Sequence, residues 1–148
     1  MELIIIIIIL GALALIGFIA FVIIRENKIN EKIQQLVSNE IQVTPDEFFK
    51  LRNSKKNCII EGVYIIYNET KNMYYIGQST NLFKRVASHF YGRGNGDVYA
   101  DYKYGDLFKI TMIELLNSGF SSLNDLERKC IRKYNAYSKG YNKTRGNR

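Results

Sequence analysis

The chain opens with an unbroken apolar run over residues 3–24, which contains no charged and no strongly polar side chain. At about 1.5 Å per residue, a helix of this length spans the roughly 30 Å hydrocarbon core of a bilayer. The run is longer than the apolar core of a signal peptide, and no basic segment precedes it. The pattern predicts a transmembrane anchor over residues 1–24, with residues 3–24 contacting the lipid bilayer.

The charges that flank this run predict its orientation. Glu2 precedes the run, whereas Arg25, Lys28 and Lys32 follow it. Since the cytoplasmic flanks of membrane helices are enriched in Lys and Arg, we expect the N-terminus outside and the rest of the chain in the cytoplasm. The predicted localisation is that of a single-pass membrane protein with a cytoplasmic domain.

Residues 25–57 are predicted to form a helical stalk or linker. Apolar side chains recur there at helical spacing, at Ile29, Ile33, Leu36, Val37 and Ile41. Thr44, Pro45 and Glu47 then stand in the order of a helix start, with a capping threonine, a proline in the first turn and a glutamate that completes a capping box. This second helix belongs either to the tether or to the domain that follows, as an extra packed helix.

A different pattern begins near Cys58 and predicts a domain over residues 58–148. Runs of β-branched and aromatic residues favour three strands, over residues 59–67, 73–76 and 107–115. A polar turn joins the first two into a hairpin. Two helical patterns have their apolar positions at Leu82, Phe83, Val86 and Phe90, and at Leu123, Leu126, Cys130, Ile131 and Tyr134.

The ends of these elements carry capping and loop signals. Ser79 or Thr80 is expected to cap the first of these two helices, and Ser121 or Ser122 the last one. Residues 91–104 are predicted to be a loop. The resulting order, β-β-α-β-α, predicts an α+β fold with a small three-stranded antiparallel sheet flanked by helices.

Charge and cysteine content add two constraints. Lys and Arg outnumber Asp and Glu by 21 to 14, and residues 58–148 hold 14 of the basic and 8 of the acidic side chains. This excess favours an anionic partner, either nucleic acid or a lipid surface, although it also serves solubility. Cys58 and Cys130 have no close Cys or His partner, so we interpret them as small core residues in a reducing compartment rather than as metal ligands.

Two short motifs stand on the predicted hairpin, Gly62-Val63-Tyr64 and Tyr75-Ile76-Gly77. A hairpin places its strands side by side, so the two tyrosines are expected to come close in space. Gly62 and Gly77 let backbone or ligand approach closely. Taken alone, the tyrosines are as readily explained as half-buried sheet residues, since tyrosine is common in strands.

The two motifs resemble those that give the GIY-YIG endonuclease family its name, with Val63 in place of the usual Ile. The resemblance covers about residues 59–146. Its further matches are, in chain order, Arg85, His89, the Leu-Glu-x-x-x-Ile-x-x-Tyr pattern that contains Glu127, and Gly140-Tyr141-Asn142. The chain departs from the family where a glycine pair often follows the Asn, since Arg145-Gly146 stands there. Few residues follow, so we expect no appended DNA-reading domain.

The resemblance implies a role for each matched side chain. Glu127 is the expected ligand of a single divalent ion, Mg²⁺ (or Mn²⁺), which binds few protein carboxylates and keeps several waters. Arg85 offers a planar fork to phosphate oxygens, and His89, one helical turn away, is expected to assist proton transfer or bind phosphate. Tyr64 is expected to activate water and Tyr75 to orient water or phosphate. Asn142 is expected to hold the tyrosines or the nearby backbone by hydrogen bonds.

Each of these residues also has a plainer interpretation. Glu127 and Arg85 can be solvated helix residues, and His89 can be a helix-end residue whose hydrogen bonds are satisfied. The four basic residues that follow Glu127 are interpreted either as contacts to the DNA backbone or as the solvent face of their helix; they are Arg128, Lys129, Arg132 and Lys133.

Together these features predict a membrane-anchored endonuclease that hydrolyses DNA phosphodiester bonds with one divalent metal ion. The alternative is a non-cleaving nucleic-acid-binding module tethered at the membrane. A third interpretation is a structural membrane protein whose basic face binds anionic lipid.

Overall fold

The computed structural model describes residues 1–55 and 57–147, and over these residues it contains five helices and three strands. They are α1 (Glu2–Asn39), α2 (Pro45–Ser54), β1 (Gly62–Asn68), β2 (Met73–Ser79), α3 (Leu82–Phe90), α4 (Gly96–Tyr104), β3 (Phe108–Glu114) and α5 (Leu123–Lys133). The chain divides into two compact units, Met1–Gln34 and a second unit that begins at Gln35.

Helix α1 contains the predicted apolar run over residues 3–24 and the first 15 residues of the predicted stalk, residues 25–39. Residues 3–24 all have exposed side chains, and the most apolar stretch of the helix has a mean hydropathy of 3.3. Its length and composition therefore suit a helix that crosses a membrane. The helix ends at Asn39, so Ile41, which was predicted to continue the stalk pattern, lies beyond it.

Helix α2 begins at the predicted capping box and packs onto the domain. The hydroxyl of Thr44 accepts a hydrogen bond from the Glu47 N–H at 3.4 Å, and Glu47 Oε2 accepts one from the Thr44 N–H at 2.8 Å. Phe48 is fully buried and stacks on Phe83 of α3 with ring centroids 6.0 Å apart. Of the two interpretations of this helix, the second holds, and the compact unit begins earlier than residue 58.

The sheet has the strand order β2-β1-β3, and both pairs are antiparallel. This confirms the predicted α+β fold with a three-stranded antiparallel sheet. Alternation along the central strand β1 sends Tyr64 and Ile66 into the core shared with α2, α3 and α4. Val63 and Ile65 face the opposite side, where α5 packs on β1 and β2. Both faces of β1 are therefore covered, and β2 is an edge strand.

The largest departure from the predicted elements is α4, which lies within residues 91–104, expected to be loop. Asn95 caps it, because its Oδ1 accepts hydrogen bonds from the N–H groups of Asp97 and Val98, each at 3.0 Å. Gly105 ends the helix in the left-handed region, at φ 106°. The loop prediction was wrong because α4 is short, starts at a glycine and has little apolar periodicity, so its caps and buried Val98 stabilise it instead.

The caps of the other two helices in this part of the chain were predicted with mixed success. The N-cap of α3 is Asn81, not Ser79 or Thr80. Ser79 instead exchanges hydrogen bonds with the backbone of Asn81, both at 3.0 Å, and so stabilises the turn before the cap. Ser122 is the N-cap of α5, as one of the two expected positions.

The two cysteines differ in burial. Cys130, on the inner face of α5, is fully buried, as predicted for a small core residue. Cys58 is exposed, so the same prediction was wrong there, because the residue precedes β1 and belongs to no helix or strand.

Candidate active site

The pairing of β1 with β2 brings the two tyrosines of the motifs together. Tyr64 lies opposite Gly77, and Ile66 lies opposite Tyr75, so the tyrosines are diagonal neighbours on one face. Their ring centroids are 6.1 Å apart. A Cβ atom at Gly77 would lie 2.2 Å from the Tyr64 hydroxyl oxygen, which is closer than any side chain tolerates. The glycine of the second motif therefore makes room for the phenol of the first.

Gly62 is needed for a different reason. It begins β1 and pairs with Glu114 of β3. A Cβ atom there would lie 2.0 Å from the carbonyl oxygen of Ile113. Gly62 thus allows the close approach of two strand backbones and does not touch the tyrosine site itself.

Helix α3 presents His89 to the phenol of Tyr64. His89 is fully buried, and its Nε2 lies 2.9 Å from the Tyr64 hydroxyl oxygen. Its other ring nitrogen, Nδ1, accepts a hydrogen bond from the Asn95 N–H at 2.8 Å. A nitrogen that accepts carries no proton, so the neutral ring is protonated at Nε2 and donates to Tyr64. His89 therefore sits behind the phenol as a donor.

Electrostatics keep this histidine neutral. Burial, and after it the charge of Arg85, lowers the pKa of His89 to about 4. At neutral pH the ring is therefore uncharged, and the tautomer set by the Asn95 N–H persists.

Burial has the opposite effect on the phenol of Tyr64. It raises the pKa of Tyr64, and the neighbouring Tyr75 adds to the increase. Arg85, one turn before His89 on α3, opposes it, because its positive charge lies close to both phenols and favours the phenolate. The phenol of Tyr64 is consequently neutral in the free protein, with the Nε2–H of His89 directed at its oxygen and the Arg85 cation nearby.

Helix α5 holds Glu127 close to the same strand. Glu127 is buried, and its Oε2 accepts hydrogen bonds from Gln78 Nε2 at 3.0 Å and from the Asn147 N–H at 3.2 Å. Gln78 also donates to Asn124 Oδ1 at 2.7 Å, which fixes the orientation of its amide. The plainer interpretation of Glu127 as a solvated helix residue is therefore wrong.

Asn142 holds the exposed edge of β2. Its Oδ1 accepts from the Ile76 N–H at 2.9 Å, and its Nδ2 donates to the Ile76 carbonyl at 2.7 Å. The preceding Tyr141 N–H donates to the Tyr74 carbonyl at 2.9 Å. The side chain of Asn142 thus replaces a strand partner and fixes the backbone between Tyr75 and Gly77.

These elements enclose a polar cleft of about 450 Å³ at the edge of β2. Five of the six predicted site residues line it, namely Tyr64, Tyr75, Arg85, Glu127 and Asn142. His89 does not line the cleft, but it contacts Tyr64, which does. The cleft is lined by residues from both faces of β2, because side chains alternate between the two faces along a strand. Tyr75 comes from one face and Gln78 from the other, and both reach the cleft at the edge of the sheet.

A divalent cation in this cleft would depend on few protein ligands. Within residues 1–55 and 57–147, no group of three or more His, Cys, Asp or Glu side chains could hold a metal. Glu127 is the acidic side chain of the cleft lining. One carboxylate with open polar space beside it fits Mg²⁺, which binds few protein carboxylates and keeps several waters.

The four basic residues of α5 have different surroundings. Lys129 and Arg128 both pair with Asp125, at 2.6 and 3.9 Å, and Lys133 lies 5.7 Å from the ring centre of Tyr134. Arg128 and Arg132, one turn apart, line a second concavity, outside the cleft. Contact of these four residues with the DNA backbone therefore stays a prediction, as does the alternative that they form the solvent face of their helix.

A model of the GIY-YIG catalytic domain matches residues 60–142, more than half of the chain. The chain belongs to the GIY-YIG family. This GIY-YIG domain implies a nuclease-type function, and its match covers the strands, the two tyrosines and the helices that carry Arg85 and Glu127. Comparisons with curated proteins and with solved structures gave no match.

The sequence analysis did not identify three hydrogen-bonding groups of this GIY-YIG domain. They are Gln78, the Asn95 N–H and the Asn147 N–H. Gln78 had a visible signal, since it is a polar residue that directly follows the Tyr75-Ile76-Gly77 motif. The two backbone donors had none, because any residue type supplies an N–H.

Proposed function

We propose that the chain is a membrane-anchored endonuclease that hydrolyses DNA phosphodiester bonds with one divalent metal ion. The observation that carries this proposal is the convergence of two phenols, a guanidinium and a buried carboxylate on one polar cleft. Hydrolysis of a phosphodiester requires a held water, neutralised phosphate charge and a stabilised leaving oxygen. These side chains can supply each of the three.

Glu127 is the residue that would hold the metal, Mg²⁺ or Mn²⁺. Both described hydrogen bonds to its carboxylate reach Oε2, so we assign Oε1 to the cation. When bound, the ion would supply positive charge for the leaving oxygen. Gln78 and the Asn147 N–H fix the carboxylate and keep it from turning away from the cleft.

Arg85 would neutralise the phosphate. Its guanidinium lies beside both phenols at the cleft and, being planar, can donate two hydrogen bonds to phosphate oxygens. Tyr75 would orient the attacking water or a phosphate oxygen, and Asn142 would keep the β2 backbone in place beneath it.

Tyr64 would take the proton of the attacking water. That role requires a phenolate, which the Nε2–H of His89 and the guanidinium of Arg85 both stabilise at the phenol oxygen. Burial opposes it by raising the pKa of Tyr64. We therefore expect the cleavage rate to rise with pH through the neutral range, without an inflection from His89 near pH 6.5.

The test uses the full chain in nanodiscs of neutral lipid, incubated with supercoiled plasmid DNA. With Mg²⁺ we expect conversion to nicked or linear DNA, and with a chelator in excess we expect none. DNA that is bound but stays supercoiled would favour the non-cleaving nucleic-acid module instead. Absence of both binding and cleavage would favour the interpretation as a structural membrane protein.

The membrane part of the proposal concerns residues 3–24 and the orientation of the chain. We infer an N-terminus outside and a cytoplasmic nuclease domain, because Arg25, Lys28 and Lys32 follow the apolar run. Cys58 provides a native reporter, since it is exposed whereas Cys130 is buried. A membrane-impermeant maleimide should label Cys58 only after cells are permeabilised, and labelling in intact cells would reverse the orientation.

A further inference from the structure

A second cavity, of about 340 Å³, lies beside α5 and is lined by arginines. We call it the arginine cavity. Its lining includes Arg128, Arg132 and Arg145 together with the polar Asn135 and the ring of Tyr137. Among the described residues that line it, there is no Asp or Glu. Arg128 lies 3.9 Å from Asp125, which is outside the lining, and three guanidinium groups that line one concavity without a carboxylate among them favour an anion there.

The arginines come from two segments that the fold holds together. Arg128 and Arg132 are one turn apart on α5, so they project from the same face. Arg145 belongs to the segment after Asn142, and its guanidinium lies 5.3 Å from the ring centre of Tyr137. A Cβ atom at Gly146 would lie 2.8 Å from Arg128 Cγ, which shows how closely this segment packs on α5.

The same two segments also build the cleft. Helix α5 carries Glu127 directly before Arg128, and Thr144 and Asn147 line the cleft on either side of Arg145. The Asn147 N–H donates to Glu127 at 3.2 Å. The cleft and the arginine cavity are therefore neighbours, and α5 and the segment after Asn142 contribute to the walls of both.

We infer that the arginine cavity binds a backbone phosphate of the DNA strand whose scissile phosphate lies in the cleft. This inference rests on the proposed function. Along α5, Glu127 and Arg132 are separated by about 7.5 Å of helical rise. A DNA strand carries one phosphate per about 3.4 Å of duplex axis, so a strand held in the cleft has further phosphates close enough to reach the neighbouring cavity.

The inference is tested by the salt dependence of DNA binding. Full-length protein in neutral-lipid nanodiscs binds a fluorescent duplex at several salt concentrations, and the slope of log affinity against log salt counts the phosphates neutralised. The variants are Arg132→Gln, Arg145→Gln and the double variant. Arg52→Gln on α2 is the matched control, because it removes one guanidinium outside the cavity.

Because the slope counts phosphates and not arginines, the double variant distinguishes a shared site from a generally basic face. We expect Arg132→Gln or Arg145→Gln to lower the slope by up to about 0.9, and the double variant to lose about 0.9 in total. Arg52→Gln should leave it unchanged. Unchanged slopes in the cavity variants would overturn the inference, and so would a loss of about 1.8 in the double variant, which would indicate two separate phosphate contacts.

A second experiment distinguishes between a DNA phosphate and a lipid headgroup as the ligand of the arginine cavity. Short-chain phosphatidylserine, below its micelle concentration, is added to the nanodisc samples. If it competes with DNA only in proteins with intact arginines, while the DNA salt slope is the same in all variants, the cavity is a headgroup site and the inference is overturned. Far-ultraviolet circular dichroism confirms that each variant is folded before its slope is compared.

The binding measurement does not depend on catalysis, so the two proposals can fail separately. A wild-type protein that binds DNA without cutting it would contradict the proposed function, and the slopes would still test the cavity. A protein that cuts DNA, with slopes that the cavity arginines do not alter, would contradict this inference alone.

Discussion

His89 is the only histidine in the chain, so its protonation can be followed without interference from another imidazole. The structure predicts two measurable properties for it. The ring should carry its proton on Nε2, because Nδ1 accepts from the Asn95 N–H at 2.8 Å. Its pKa should be about 4, since burial and the charge of Arg85 both disfavour the imidazolium ion.

The size of the effect on stability follows from the difference between the pKa of His89 in the folded chain and its pKa in the unfolded chain. A decrease from about 6.5 in the unfolded chain to about 4 corresponds to about 3 kcal/mol between the two protonation states. Between these pH values the unfolded chain binds more protons than the folded one. The domain should therefore lose stability as the pH falls from about 6.5 to about 4, and show no effect of His89 above about 7.

The assay is nitrogen-15 NMR of the imidazole in full-length protein in detergent micelles, titrated from acidic to neutral pH. Denaturant unfolding over the same range, followed by tyrosine fluorescence, gives the stability. His89→Gln keeps a donor and an acceptor without a titrating ring, so its stability should lose this pH dependence. A ring that titrates near pH 6.5, or that carries its proton on Nδ1, would refute the donor role that we assign to His89.

Three further predictions concern other groups of the domain. Arg85→Ala should lower single-turnover cleavage by about a hundredfold at saturating DNA, with little rescue by Arg85→Lys, because the preorganised planar fork is lost; normal cleavage by the bound variant would make Arg85 a backbone contact. Gly77→Ala should displace the phenol of Tyr64, lower the free energy of unfolding by about 1–3 kcal/mol and reduce cleavage, as judged by denaturant midpoint and rate. Burial tends to raise the pKa of Asp101, but hydrogen bonds from Lys71 and Tyr141 outweigh it and lower that pKa. Its stabilising contribution should be present above about pH 4 and lost as the pH falls further, and Asp101→Asn should remove this acid sensitivity from unfolding curves.

The elements that sequence predicted well are those with a strong period or a local signal. The strands around Tyr64 and Tyr75 are rich in β-branched and aromatic residues, and the capping box at Thr44 is a local pattern. Helix α4 was missed because it has little apolar periodicity despite its two caps, and because Val98 becomes buried only in the folded domain. The formation of this helix depends on tertiary packing, which cannot be predicted from a short stretch of sequence.

The candidate site, too, was predicted only in part from the sequence. The resemblance identified the side chains that line the cleft, but not the partners that fix them. The Nε2–H tautomer of His89 depends on a backbone N–H six positions later, and the carboxylate of Glu127 depends on another backbone N–H near the C-terminus. The pairing of Arg128 with Arg132 at one concavity agrees with helical spacing, since residues four positions apart project from the same side of a helix.

The most direct measurement compares wild-type protein and Glu127→Gln in single-turnover cleavage at saturating DNA with Mg²⁺. Glutamine keeps the shape of the side chain and removes the charge that we assign to the metal. We expect cleavage to fall by at least two orders of magnitude, comparable with the removal of a single preorganised charge-stabilising group, while DNA affinity and the circular dichroism spectrum stay close to those of wild type. Cleavage at the wild-type rate by Glu127→Gln would contradict the assignment of this cleft as a metal-dependent nuclease site.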